Sequence, residues 1–228
     1  MKPSDYKKAK EVVSSELAKV GLHGNVKINR LSWQALEIPG YNVDFTYSEK
    51  TYDGQTVTLE TDTVFHNDWT DTTSDHLPEY KEAYLKQQSV QKKEKEIEGQ
   101  LKKQSLGLPI SFFGFLSNSN RDEKEQILDS IASQNLKEGK KDFAGYYQIP
   151  FQTLIDQELI RMTIYIEDGV SVKEKDLKAA AKKLDASKLP DGAYDFYYSK
   201  GSYADSISYS FKVKDGKVVF YEDQNIQN

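Results

Sequence analysis

The chain has 228 residues, 37% hydrophobic and 29% charged, with a formal net charge of −5 and no cysteine. That length gives room for one large domain or two small ones. The acidic balance argues against a general nucleic-acid binder, and the missing cysteines exclude disulfides, thiolate metal sites and cysteine nucleophiles. Aromatics reach 12%, with 15 Tyr and 10 Phe. Disordered chains are poor in aromatics, so the composition reads as a folded protein with solvated helices. No apolar run approaches the roughly 18–20 residues that span a bilayer. The opening "MKPSDYKKAK" lacks the apolar core of a signal peptide. Two expectations follow: a cytoplasmic protein, or a mature domain whose targeting segment was removed.

"PSDYKKAKEVVSSELAKVG" predicts a helix. Ser4 or Asp5 can accept the free N–H groups at its start. Tyr6, Ala9, Val13, Leu17 and Val20 recur at helical spacing, and Gly21 is a natural stop. Three strands follow: "NVKINRLSW", then "YNVDFTYSE" with Tyr41, Val43, Phe45 and Tyr47 alternating, then "TVTLETDTVF". Asp53-Gly54 marks a hairpin between the second and third. Residues 4–70 therefore read as a helix and a three-stranded antiparallel meander.

Residues 71–160 read as a helical connecting segment. Residues 77–103 predict one long charged helix with a narrow stripe of Leu77, Tyr80, Tyr84, Ile97 and Leu101. "LGLPISFFGFLSNSN" (106–120) then interrupts it with Gly and Pro. Ile110 to Leu116 are the only dense apolar material in the middle third, and two readings compete: a buried plug joining the two ends, or an exposed partner-binding loop. "NRDEKEQILDSIASQNL" predicts a further helix, and residues around 142–160 an aromatic connection with a short helix.

Residues 161–228 hold a strand, "RMTIYIED", and a helix, "SVKEKDLKAAAKKLDAS", with Ser171 and Glu174 as a capping box. A second meander follows: "LPDGAYDFYYSK", "SISYSFKVK" and "KVVFYED". Alternation puts Tyr194, Phe196 and Tyr198 on the core face and Tyr197 on the other. The predicted class is α+β: two helix-plus-three-stranded antiparallel meander units joined by a helical middle segment. The shared order of the two ends fits either an internal duplication or a common way of covering one sheet face.

Chemistry-bearing motifs are few. "ETDTVFHNDWTDTTSDH" carries His66, Asp68 and His76 among further carboxylates, a set able to bind a divalent cation or run acid–base chemistry. Its spacing matches neither H-E-x-x-H nor a calcium loop, and a strand end with a polar loop explains it equally. No nucleophile elbow, P-loop or dinucleotide fingerprint is present, and no cofactor is expected. The C-terminal tyrosines suggest recognition instead, since Tyr buries area at low entropy cost. Tyr197 and Tyr203, with Phe112, Phe113 and Phe115, are the candidate ligand or partner residues; ordinary strand propensity is the alternative.

"LGLPI" together with "ELIRMTIYIEDGVSVKEKDLKAAAKKLDASKLPDGAYDFYYS" resembles lipoproteins of unknown function from staphylococci and related Firmicutes, over residues 105–200. The resemblance implies the mature ectodomain of a Gram-positive lipoprotein. Such a protein sits at the cell surface and meets the membrane only through a removed N-terminal lipid anchor. It brings no catalytic residues. A non-catalytic binding role toward an unknown protein or envelope component is the leading expectation. A metal-dependent enzyme or hydrolase using the His66–His76 segment is the second. A structural subunit using the 77–103 helix for assembly is the third.

Overall fold

The computed structural model describes residues 1–35, 39–70, 78–118, 122–167, 171–199 and 206–221. The protein is α+β, with a three-stranded antiparallel sheet and a mixed five-stranded sheet. It divides into two compact units: Met1–Gln87 with Asp129–Gln148, and Gln88–Leu128 with Ile149–Asn228.

In the first unit, α1 (Pro3–Lys19) begins where the Asp5 carboxylate accepts the Lys2 N–H at 2.7 Å. It ends at Gly21, whose φ of +83° suits glycine. Ala9, Val13 and Leu17 are its buried stripe, while Tyr6 and Val20 are exposed. β1 (Asn25–Gln34), β2 (Gly40–Lys50) and β3 (Thr56–His66) form the predicted meander. Val43, Phe45 and Tyr47 are fully or almost fully buried, as the period-two pattern requires.

Residues 142–145 close this unit with an unusual turn. Phe143, Ala144 and Gly145 all have positive φ, at 47°, 54° and 91°. Phe143 N–H donates to Glu49, Asn135 Nδ2 donates to the Gly145 carbonyl at 2.7 Å, and Asp142 accepts the Tyr52 N–H. The Phe143 ring packs edge-on to Tyr47 at 5.7 Å. Nearby, at the Asp53-Gly54 hairpin, Tyr147 donates to Asp53 at 3.0 Å. Burial raises the Tyr147 hydroxyl to about 12.

Burial alone would raise the Asp53 carboxyl, but hydrogen bonds from Thr51, Gln55 and Tyr147 outweigh it and hold the group below the usual carboxylate range. A depressed native value contributes stability above the unfolded pKa, about 4, that is lost as pH falls through the lower native one. Asp53→Asn is therefore expected to flatten the acid limb of stability against pH. Urea titrations between pH 6 and 2 check this, and parallel curves for the two proteins would refute it.

The expected 77–103 helix is two elements. A 3₁₀ helix spans Pro78–Lys86, and α2 spans Gln88–Leu101. The Tyr84 carbonyl accepts both the Gln87 N–H and, at 3.1 Å, the Gln87 side-chain amide. That carbonyl is no longer available to the next turn, and the helix stops there. Gln87 is buried, which a sequence stripe of apolar residues could not reveal.

The second unit is built on β4 (Ile110–Ser117), β5 (Ile160–Ile166), β6 (Gly192–Ser199), β7 (Ser206–Lys214) and β8 (Lys217–Val219), in that spatial order. β6, β7 and β8 are the predicted antiparallel meander. Two findings differ from expectation. Ile110–Leu116 is part of a strand antiparallel to β5, which neither reading foresaw; Phe113 and Phe115 are buried as the plug required, and Phe112 is exposed. β5 and β6 run parallel, joined through α5 (Glu174–Lys183), because parallel neighbours need a crossover. The α5 cap also moves: Lys173 N–H is accepted by Asp176 at 3.0 Å, two residues beyond the expected Ser171–Glu174 pair. α3 (Asp122–Lys137) and α4 (Phe151–Asp156) complete the helices. One sheet face buries Met162, Ile164, Tyr194, Phe196 and Phe211. The other stays largely open.

A candidate binding trough on the five-stranded sheet

Strand alternation sends Arg161, Thr163 and Tyr165 of β5 to the open face. Asp195 and Tyr197 of β6 and Ser208 and Ser210 of β7 join them. Register aligns these residues in rows across the strands. The middle row is Gly114, Thr163, Asp195 and Ser210. One flanking row is Phe112, Tyr165, Tyr197 and Ser208. The other is Leu116 and Arg161, continued on β6 and β7 by Ala193 and Lys212. Short side chains between long ones make a trough. Its walls stand four residues apart along the strands, roughly 13 Å, and it crosses four strands, roughly 14 Å. The part of it between Leu116 of β4 and Ser208 and Ser210 of β7, which Phe112 and Gly114 do not line, has a volume of about 300 Å³.

The aromatic wall is continuous. Phe112 stacks on Tyr165 with centroids 4.0 Å apart, and Tyr165 meets Tyr197 edge-on at 5.5 Å. Gly114 keeps the floor low beside this stack: a Cβ there would touch the Phe112 and Tyr165 rings. The floor is polar. Asp195, 6% exposed, accepts the Ser210 hydroxyl and pairs with Arg161 Nε at 2.7 Å. Thr163 is 2% exposed, and its hydroxyl has no hydrogen-bond partner among the described residues. A buried polar atom without a partner is costly and asks for an explanation.

The sequence candidates scatter. Phe112 (48% exposed) and Tyr197 lie in the aromatic wall, whereas Phe113 and Phe115 are buried on the opposite face, 5.2 Å apart. Tyr203 and His76 lie outside the described residues. His66 and Asp68 are exposed in the turn that closes β3. His66 N–H donates to the Thr70 carbonyl, and Asp68 accepts the Thr70 N–H and hydroxyl, which hold its carboxyl below the usual range. The Asp68 carboxylate thus serves its own turn. Among the described residues, no group of three or more His, Asp or Glu side chains is placed to hold a metal ion. A second hollow, in the first unit, is lined by His23, Lys50 and Lys141, but its Glu49 is already engaged by Tyr47 and Phe143.

In "RMTIYI" and "SISYS" the outward Thr163, Tyr165, Ser208 and Ser210 bear hydroxyls where a merely solvated strand face would carry Lys and Glu, a signal the sequence reading did not use; Arg161 and Asp195 carry no such signal. Comparison with protein-family models, curated proteins and solved structures finds no match. Among the described residues, no helix is long and apolar enough to cross a membrane.

Proposed function

We propose that this chain is a non-catalytic binding module whose ligand surface is the trough across β4–β7. The observation that carries this reading is the Thr163 hydroxyl, buried in the floor without a partner among the described residues, beside the Arg161–Asp195 pair and the aromatic wall. A ligand group that hydrogen-bonds Thr163 removes the desolvation cost which the free protein bears. Small rigid aromatics with a few convergent polar groups are the usual make-up of a recognition pocket.

Thr163→Val keeps the shape and removes the orphan. It is expected to raise the unfolding free energy by about 1 kcal/mol while weakening whatever occupies the trough. A polar fragment library screened by amide chemical shifts supplies the binding readout. Hits concentrated on β4–β7 and lost in the variant support the module; hits dispersed elsewhere refute it.

The same reading includes a place at the cell envelope, anchored through an N-terminal lipid on the native chain. Its support is the resemblance of residues 105–200 to lipoproteins. Fractionation of the native cells, with protease shaving, tests the location; a protease-resistant cytosolic pool refutes it.

A further inference from the structure

We propose that the trough takes a neutral glycan, a short chain of uncharged pyranose units. The inference rests on the trough being a ligand site and adds the chemistry of its occupant.

Charge comes first. The two cations of the trough are both compensated: Arg161 by Asp195 at 2.7 Å, and Lys212 by Glu158 at 3.2 Å. The Lys212 hydrogen bond and charge hold the Glu158 carboxyl below its ordinary range. With each cation paired to its own carboxylate the trough carries no net charge: an anionic ligand would meet Asp195 and Glu158, and a cationic one Arg161 and Lys212. An uncharged polar ligand meets no such opposition.

Hydrogen-bonding capacity comes second. Sugar hydroxyls each donate and accept, so they need both kinds of partner within one span. Asp195 retains acceptor lone pairs beyond the Ser210 and Arg161 contacts, and Arg161 retains donors beyond Nε. The Thr163 hydroxyl can do either.

Shape comes third. A pyranose has one face of C–H groups and a rim of hydroxyls. The Phe112–Tyr165–Tyr197 wall offers apolar ring surface to that face, and the floor offers polar groups to the rim. A peptide is less suited. Extended peptides add to a sheet through its edge, whereas the trough lies on the face, and the Phe115 N–H is already taken by Glu94 at 3.0 Å.

The test titrates the isotope-labelled full chain with maltohexaose, cellohexaose, N-acetylchitohexaose, mannohexaose and xylohexaose, and with charged hexagalacturonate. At least one neutral oligosaccharide is expected to shift amides of β4–β7. Tyr197→Ala and Thr163→Val should each weaken it tenfold or more, with thermal melts showing both variants folded. Tighter binding of hexagalacturonate than of every neutral chain overturns the inference. If no sugar binds while polar fragments still occupy the trough, the glycan is wrong and the binding module stands. If neither binds, both fall.

Discussion

Gly145→Ala is expected to destabilise the first unit by about 2–5 kcal/mol. Two costs combine. A left-handed backbone costs a non-glycine residue about 1–2 kcal/mol, and Gly145 sits at φ +91°. A Cβ built there would also clash with the Ala132 carbonyl oxygen, and overpacking of that kind adds about 1–3 kcal/mol. Neither neighbour can yield freely: the Gly145 carbonyl is held by buried Asn135, and Phe143, fully buried, is wedged between Tyr47 and Tyr147. Gly139 supplies the control. It has φ +81° but nothing within 4 Å of a new Cβ, so Gly139→Ala should cost only the backbone part, about 1–2 kcal/mol. Denaturant unfolding, with hydrogen exchange of β2 amides to locate the loss, compares the pair. Equal costs would show that the close approach to Ala132 is not what fixes glycine at 145.

What the sequence disclosed, and what it hid, divides along the range of the interactions. Asp5 at the start of α1, Gly21 at its end and the alternation of Tyr41, Val43, Phe45 and Tyr47 are local signals, and each strand or helix they define is present. The separation of Tyr197 from Tyr194, Phe196 and Tyr198 followed from period two alone. Partner choice is non-local. "FFGF" hides its alternation because Phe112, on the outward face, is as aromatic as the buried Phe113 and Phe115, so an apolar run looked like filling when it was a strand. The parallel β5–β6 pair was legible in principle: a strand, a helix and a strand separated by more than two dozen residues is the signature of a crossover. The left-handed turn at 143–145 was not legible, because what makes it tolerable lies far along the chain at Glu49 and Tyr47. The trough is the same case. Thr163, Asp195 and Ser210 become one floor only when three strands are laid side by side in register.

Phe113→Ala is expected to cost about 3–5 kcal/mol, the range for deleting a buried phenyl ring, and Phe112→Ala less than about 1 kcal/mol. The two residues are adjacent and identical, so composition and propensity cancel in the comparison. Only the face differs. Phe113 is 2% exposed and packs edge-on to Phe115; Phe112 is 48% exposed and stacks on Tyr165. A slip of one residue in a strand sends every side chain to the other face. The ratio of the two losses therefore reports the β4 register directly, and a larger cost at Phe112 would overturn the pairing of Phe112 with Tyr165. Hydrogen exchange of β5 amides should show the Phe113→Ala loss where β4 pairs. The same pair separates folding from recognition. Phe112→Ala removes one panel of the aromatic wall from a folded protein, so its deficit should appear in ligand binding at an almost unchanged denaturation midpoint. Phe113→Ala should lose both together, because a β4 that no longer packs cannot hold Phe112 against Tyr165.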